Sequence, residues 1–324
     1  MATQEGNARP PSVPVDGLLL LDKPAGMTSN QALQKVKRLL QARKAGHTGS
    51  LDPAATGMLP LCFGEATKVC GYLLDADKTY RVTARLGEAT DTGDADGTVI
   101  ATAEVPVLGG EDWLRTFASF TGEVEQVPPM YSALKQGGRR LYELARQGQV
   151  VERKARPIRV HAITLLEARG TRLAFRVHCS KGTYVRTLVE DLARAAGTVG
   201  HVTSLHRVSV AHFRQDDMLD LATATEIAAA GPDALRQRLL PLDSALEGWT
   251  RVGLDADDAG RFVHGQAVAD VAGNGGLVRV YDELERFIGV GELAANGRLS
   301  PRRVFRPGSA DPAGQQVAGR KRGV

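Results

Sequence analysis

Residues 79–86 alternate without a break: Tyr80, Val82, Ala84 and Leu86 fall on one face, Thr79, Arg81, Thr83 and Arg85 on the other. A side-chain period of two, apolar against polar, belongs to a strand with one face buried and one wet, the usual antiparallel case. Residues 171–179 repeat the pattern, with Leu173, Phe175, Val177 and Cys179 inward and Arg172, Arg176 and His178 outward. Helical stripes stand beside these strands. Ala32, Val36, Leu39 and Leu40 share a face behind a Thr28/Gln31 capping-box spacing, which starts a helix near Ser29. Tyr184, Leu188, Leu192 and Ala196 form a second stripe that Gly197 can end. No P-loop or dinucleotide glycine fingerprint is present to favour a doubly wound parallel sheet.

A chain of 324 residues can hold one large domain and a small one. No apolar run approaches the roughly 18–20 residues that span a bilayer, and the N-terminus lacks the apolar stretch of a signal peptide, so a cytoplasmic protein is expected. Cys62, Cys70 and Cys179 form no CxxC pair and read as reduced, buried thiols. No metal-ligand cluster stands out, so neither metal nor cofactor is expected. The net charge of +4 is unevenly spread: residues 134–159 carry a net +6 and residues 298–324 another +6, which leaves −8 elsewhere. Two basic segments on an acidic body suit a polyanionic partner, most simply nucleic acid.

The chain from Gly46 to Met58 holds a lone carboxylate, Asp52, among glycines, hydroxyls and His47. Pro53 disfavours the helical region for Asp52 and removes a backbone donor, so the aspartate is expected on an extended, fixed loop. Arg186 sits at the start of the second helix, where a cation opposes the helix dipole. A carboxylate partner for it is therefore expected, and a nearby cation favours the ionised form that a nucleophilic carboxylate needs. The stretch Asp91–Gly97 superficially suggests a calcium loop, but Thr92 stands at the first ligand position and Ala103 where the bidentate acid belongs. A polar turn joining strands 79–86 and 98–102 is the better reading. Residues 127–159 form a basic, tyrosine-bearing insertion broken by Gly137, Gly138 and Gly148, suited to gripping an RNA backbone.

Gly46–Met58 resembles the GHTGxLDPxATG segment of the TruB-type pseudouridine synthases. Lys181–Leu188 resembles that family's KGTYxRTL motif, and shorter likenesses occur at Asp22–Ser29, Gly64–Lys68, Lys78–Tyr80, Asp91–Gly97 and Leu205–Arg207. Where relatives often carry arginine after the leucine, this chain has His206. The resemblance covers roughly 15–215 closely and 249–306 loosely; the latter, through His264–Gly265 and Phe287–Glu292, is similar to a PUA-type RNA-binding domain. It implies an α+β fold, with a mixed, largely antiparallel sheet flanked by helices and a small β-rich domain.

Four segments are expected: tails at 1–14 and 307–324 that are disordered, a catalytic domain at 15–248 and a PUA-like domain at 249–306. The implied reaction isomerises uridine 55 of the tRNA T-arm, without cofactor, in a monomer. Asp52 is implied as nucleophile, attacking uracil C6 or ribose C1′ or removing the C2′ proton. Arg186 would pair with it, and Tyr80 would stack on the uracil and help take the C5 proton. His47, Tyr184 and Leu205 would bind substrate, with Lys23 and Lys68 as further candidate contacts. An RNA-binding protein without chemistry, or a synthase guided by a separate RNA, are the rival readings.

Overall fold

The computed structural model describes residues 13–305. The first strand, β1 (Gly17–Lys23), is buried on both faces, which is why it reads as an unbroken apolar run. Leu19 and Leu21 face one core with α1 (Ser29–Leu39); Leu18 and Leu20 face another. The expected capping box is present: Gln31 N donates to Thr28 Oγ1 (3.1 Å) and Thr28 N to Gln31 Oε1 (2.8 Å). Next come β2 (Ala45–His47), β3 (Thr56–Phe63), a 3-10 turn at Gly64–Lys68, α2 (Cys70–Asp75) and β4 (Lys78–Leu86). Every second residue of β4 from Lys78 to Leu86 is buried, as its alternation requires.

A hairpin of β5 (Glu88–Thr90) and β6 (Val99–Thr102) follows, then α3 (Gly110–Ser119) and β7 (Gly122–Gln126). The turn at 91–97 therefore joins β5 to β6, not β4 to β6 as the sequence suggested; Gly87, at φ +90°, separates β4 from β5. The insertion holds a two-residue hairpin, β8 (Lys135–Gln136) with β9 (Arg139–Arg140), and α4 (Leu141–Ala145). It ends earlier than residue 159, because β10 (Arg156–Arg169) pairs with β7 from Arg156 onward. After β11 (Arg172–Cys179) come α5 (Val185–Ala195), β12 (Gly200–Val210), β13 (Leu219–Asp220), α6 (Leu221–Ala229) and α7 (Pro232–Arg236).

Nine strands form one sheet in the order β13-β1-β3-β12-β4-β11-β10-β7, with β2 also on β3. Only β1/β13 and β3/β12 run parallel. The sheet is mixed and largely antiparallel, flanked by helices: α3 and α5 close one core against β4, β10 and β11, and α1 and α6 another. A separate four-stranded sheet is built from β14 (Arg251–Gly253), β15 (Gly276–Tyr281), β16 (Phe287–Leu293) and β17 (Leu299–Val304), with α8 (Ala256–Val263) between β14 and β15. It has its own core around Phe262, while Val290 and Phe305 join the core of the large domain.

The expected tails lie almost wholly outside the described residues. Val13 and Pro14 are the exceptions: the Val13 N–H donates to Gln41 O (3.0 Å) and Val13 bridges to Ala42, so order begins before residue 15. Cys62 and Cys179 are buried as expected; Cys70 is only half-buried, because it opens α2 at the surface.

Candidate active site

Asp52 lies on the loop between β2 and β3, and the chain fixes that loop at both ends and in its middle. The buried Ser29 hydroxyl, at the start of α1, accepts from Leu51 N (2.8 Å) and donates to Leu51 O (3.1 Å). Pro53 O accepts from Gly26 N (2.9 Å) and from Lys23 Nζ (3.2 Å). Arg207, on β12 and 1% exposed, donates from Nε to Met58 O (2.6 Å) and from Nη2 to Gly49 O (3.0 Å), so one guanidinium ties both flanks of the loop. β12 runs parallel to β3 here, pairing Arg207 with Gly57. Gly57 has φ +99°, and a Cβ on it would come within 2.3 Å of Arg207 O, so glycine is required at this crossing.

Against the Asp52 carboxylate stands Arg186, Nε to Oδ2 3.1 Å. Arg186 lies in the first turn of α5 and is almost wholly buried, with Nη1 donating to Thr92 O (2.8 Å) and Nη2 to Tyr131 O (2.7 Å). Asp94 supplies a second carboxylate, 3.5 Å from Nη1. The carboxylate partner expected for Arg186 is thus present, twice over. Burial raises the Asp52 pKa above the usual aspartate value; Arg186 and, more weakly, Lys23 oppose the rise, and Asp94 adds to it. Arg186 moderates the shift and does not by itself set it.

Tyr80 lies on β4, 8% exposed, next to Arg207 on β12 and Val177 on β11. Burial pushes its phenol up, and the Arg207 cation pulls it back. Leu205, paired with Val82, is half-buried against the same core. Tyr184 is the residue before α5, its backbone clamped by Gln126, whose Oε1 accepts from Tyr184 N (2.8 Å) and whose Nε2 donates to Tyr184 O (3.1 Å). His47 ends β2; its buried Nδ1 has no hydrogen-bond partner among the described residues, and burial lowers its pKa. His206 bonds Thr56 Oγ1 through Nδ1 (2.9 Å).

Two further candidate contacts are engaged within the protein. Lys23 is fully buried and directs all its protons inward, to Pro24 O (2.8 Å), Met27 O (2.8 Å) and Pro53 O, with its pKa lowered to about 8 by burial. It supports the Asp52 loop from beneath. Lys68 joins the two domains, donating to Val304 O (2.8 Å) and lying 5.2 Å from the centre of the Phe305 ring. Sequence reasoning passed over Asp94 and Arg207. Asp94 stood in the Asp91–Gly97 turn, one of the shorter likenesses to the family, a signal that could have paired it with Arg186. Arg207 had none beyond its place two residues after Leu205. Nor did the sequence show a metal-ligand cluster. Among the described residues one group, Asp77, His161 and His178, is spaced to share an ion, and Asp52 is not part of it.

Residues 37–185 match the family described as TruB family pseudouridylate synthase, N-terminal domain. Residues 186–247 match a tRNA pseudouridylate synthase B C-terminal domain, and 250–305 the C-terminal domain of pseudouridine synthase II TruB. A tRNA pseudouridine synthase B from Aromatoleum aromaticum is 53% identical over 291 residues, 90% of this chain and 92% of the relative. One from Pseudomonas putida is 51% identical over 294 residues, 90% of this chain and 96% of the relative.

The chain belongs to the TruB family of pseudouridine synthases.

The Asp52 loop lies inside the matched N-terminal domain. Among solved structures, a Cbf5–Nop10–Gar1 complex contains a chain similar to this one, with TM-score 0.71 and 25% identity over 90% of this chain and 85% of that one. A chain from an H/ACA ribonucleoprotein bound to a substrate RNA containing 2′-deoxyuridine has TM-score 0.70 at 21% identity, covering 94% and 93%, a likeness of fold.

Proposed function

We propose that this pseudouridine synthase acts on tRNA, at uridine 55 of the TΨC loop, with Asp52 as the nucleophile. The observation that carries the assignment of Asp52 is its 3.1 Å pairing with a buried arginine on a loop fixed by Ser29, Lys23 and Arg207. The choice of RNA rests on the names of the relatives at 51–53% identity. In the reaction the N1–C1′ bond breaks, the uracil turns, C5 bonds to C1′, and the C5 proton is lost as N1 gains one. No electrons are transferred, so no redox cofactor is called for. Asp52 attacks uracil C6 or ribose C1′, or removes the C2′ proton.

Arg186 holds Asp52 in place and favours its ionised form. Tyr80 stacks on the flipped uracil and assists C5 deprotonation, while stacking offsets part of the cost of extrusion. Tyr184 and Leu205 line the pocket, and His47, with its unpartnered Nδ1, contacts the T-loop. Lys23 and Lys68 act through the protein's own structure. The domain at 15–248 performs the chemistry, its basic insertion grips the RNA backbone, and the PUA-like domain from 249 adds a second RNA contact. The enzyme works as a monomer in the cytoplasm.

Tritium release from tRNA carrying 5-tritiated uridine tests this reading, measured with binding of the same RNA. Wild type releases tritium, and Asp52→Asn binds without release. Release by Asp52→Asn at the wild-type rate removes Asp52 from the mechanism; release from T-loop RNA with position 55 blocked moves the target elsewhere.

A further inference from the structure

The face of the large sheet opposite Tyr80 carries an arrangement that the RNA chemistry does not use. Tyr80 and Val177 are opposed across β4 and β11 on the buried face; Thr79 and His178, next in register, are opposed on the open one. Asp77, two residues before Thr79, shares that open face and lies diagonal to His178, within side-chain reach. The third member arrives through a β-bulge. Val160 pairs with Cys179 and Ala162 with His178, so His161 is the extra residue in β10. His161 follows buried Val160 and so falls on the open face by alternation, and the bulge leaves it and Ala162 side by side there opposite His178.

The side chains converge. His161 Nε2 is 3.0 Å from Asp77 Oδ2, the two imidazole centres are 4.6 Å apart, and one ligand atom from each of the three residues lies within 4.8 Å of the others. Tetrahedral zinc with bonds of ~2.0–2.1 Å needs its donors ~3.3–3.4 Å apart, so separations of no more than 4.8 Å have about 1.4 Å or less to close. Two neutral imidazoles and one carboxylate suit zinc, cobalt(II) or nickel(II) better than magnesium or calcium, which prefer all-oxygen ligands. The backbone beneath is fixed: Ala211 N donates to Asp77 O (2.9 Å), and the other two residues are in ladder strands. The nearby Asp75 is engaged by Lys181 at 2.8 Å, which leaves three protein ligands and an outward position for water.

We propose that Asp77, His161 and His178 form a divalent transition-metal site, zinc by preference, that cross-links β10, β11 and the entry to β4. On binding, the proton that His161 Nε2 donates to Asp77 Oδ2 (3.0 Å) is given up to solvent or replaced by one on Nδ1, which frees the Nε2 lone pair for the metal. The site lies outside the Asp52 centre and plays no part in bond breaking.

The test uses the full chain without an affinity tag, stripped with chelator and titrated with zinc by calorimetry, then loaded with cobalt(II) for its visible spectrum. One equivalent is expected to bind, raise the melting temperature and give the intense absorption of a four-coordinate cobalt site. In His178→Ala and in His161→Ala the affinity should fall by at least the ~10–100-fold lost when an outer partner of a metal ligand is removed. Metal-free melting and tritium release should stay at wild-type values, which separates ligand loss from misfolding. No stoichiometric binding overturns the proposal. So does an equivalent that survives both histidine variants, or one that disappears in Cys62→Ser or Cys70→Ser, whose thiols are the soft alternative.

Discussion

Arg186 and Asp52 meet at 3.1 Å, yet the protein buries them unequally: the arginine side chain is 7% exposed and the aspartate 44%. The cation can be buried because backbone carbonyls of Thr92 and Tyr131 and the Asp94 carboxylate share its five donors. The aspartate keeps an open side. A guanidinium fixed from behind and a carboxylate free in front is the arrangement a nucleophile needs, since orientation and ionisation are supplied without blocking approach.

Arg186→Lys keeps the charge but loses the planar fork, so it cannot hold Asp52, Asp94 and two carbonyls together. Misplacement of the carboxylate on the scale of 1 Å is expected to lower kcat by about 10²-fold. Each carbonyl left unpaired costs about 1–3 kcal/mol of stability. Single-turnover tritium release together with thermal unfolding checks both effects, and kcat should fall more than KM rises.

The raised Asp52 pKa gives the pH profile a sign. On the role proposed for Asp52 the ionised form is the reactive one, so kcat/KM should fall as pH drops through the Asp52 pKa, at a pH above the ordinary aspartate value of 3.8. Removing the charge of Asp94, which pushes Asp52 up, should move that acid limb to lower pH in Asp94→Asn. Arg186→Gln removes the main opposing cation and should move it to higher pH. An acid limb that ignores both substitutions would assign the titration to another group.

Gly57→Ala puts a methyl group into the backbone of Arg207 at the parallel β3/β12 crossing. Relief requires the strands to part, at a cost of about 1–3 kcal/mol from the strained φ alone, and the Asp52 loop shifts with them. Lower melting temperature and weaker activity should appear together. Gly26→Ala, also at positive φ but with no atom within 4 Å, should cost less.

The insertion between β7 and β10 presents Lys135, Arg139, Arg140, Arg146 and Lys154 to solvent. If four of these meet phosphates, log affinity for tRNA should fall against log salt with a slope of about −0.7 per contact on single-stranded segments. Arg139→Ala with Arg140→Ala should flatten the slope by about two such contacts. Filter binding across a salt series reads it, and a slope unchanged by the pair would place the RNA away from this hairpin.

Local order was written in the sequence. The alternation of residues 79–86 and 171–179, the Thr28/Gln31 cap and the stripe from Tyr184 to Ala196 each became the element their period requires, because period and capping depend on neighbours within a few residues. The unusual length of the Gly46–Met58 resemblance likewise singled out the Asp52 loop before any contact was known. Which carboxylates meet Arg186 could be expected in kind but not counted: Asp52 is 134 residues from it, and Asp94 had been absorbed into a polar turn. Arg207 gave no sign of its role, because a lone arginine on a strand becomes a clamp only when the parallel strand β3 and the loop before it bring Met58 and Gly49 against it. His161 falls outward by alternation from Val160, but only the pairing of β10 with β11 and of β11 with β4 brings His178 and Asp77 to it. Lys23 shows the limit most plainly. A lysine at the end of a strand, next to a proline, is read as exposed, since burying a cation is costly. Only the folded chain supplies the three carbonyls that make its burial tolerable, one of them 30 residues away on the Asp52 loop.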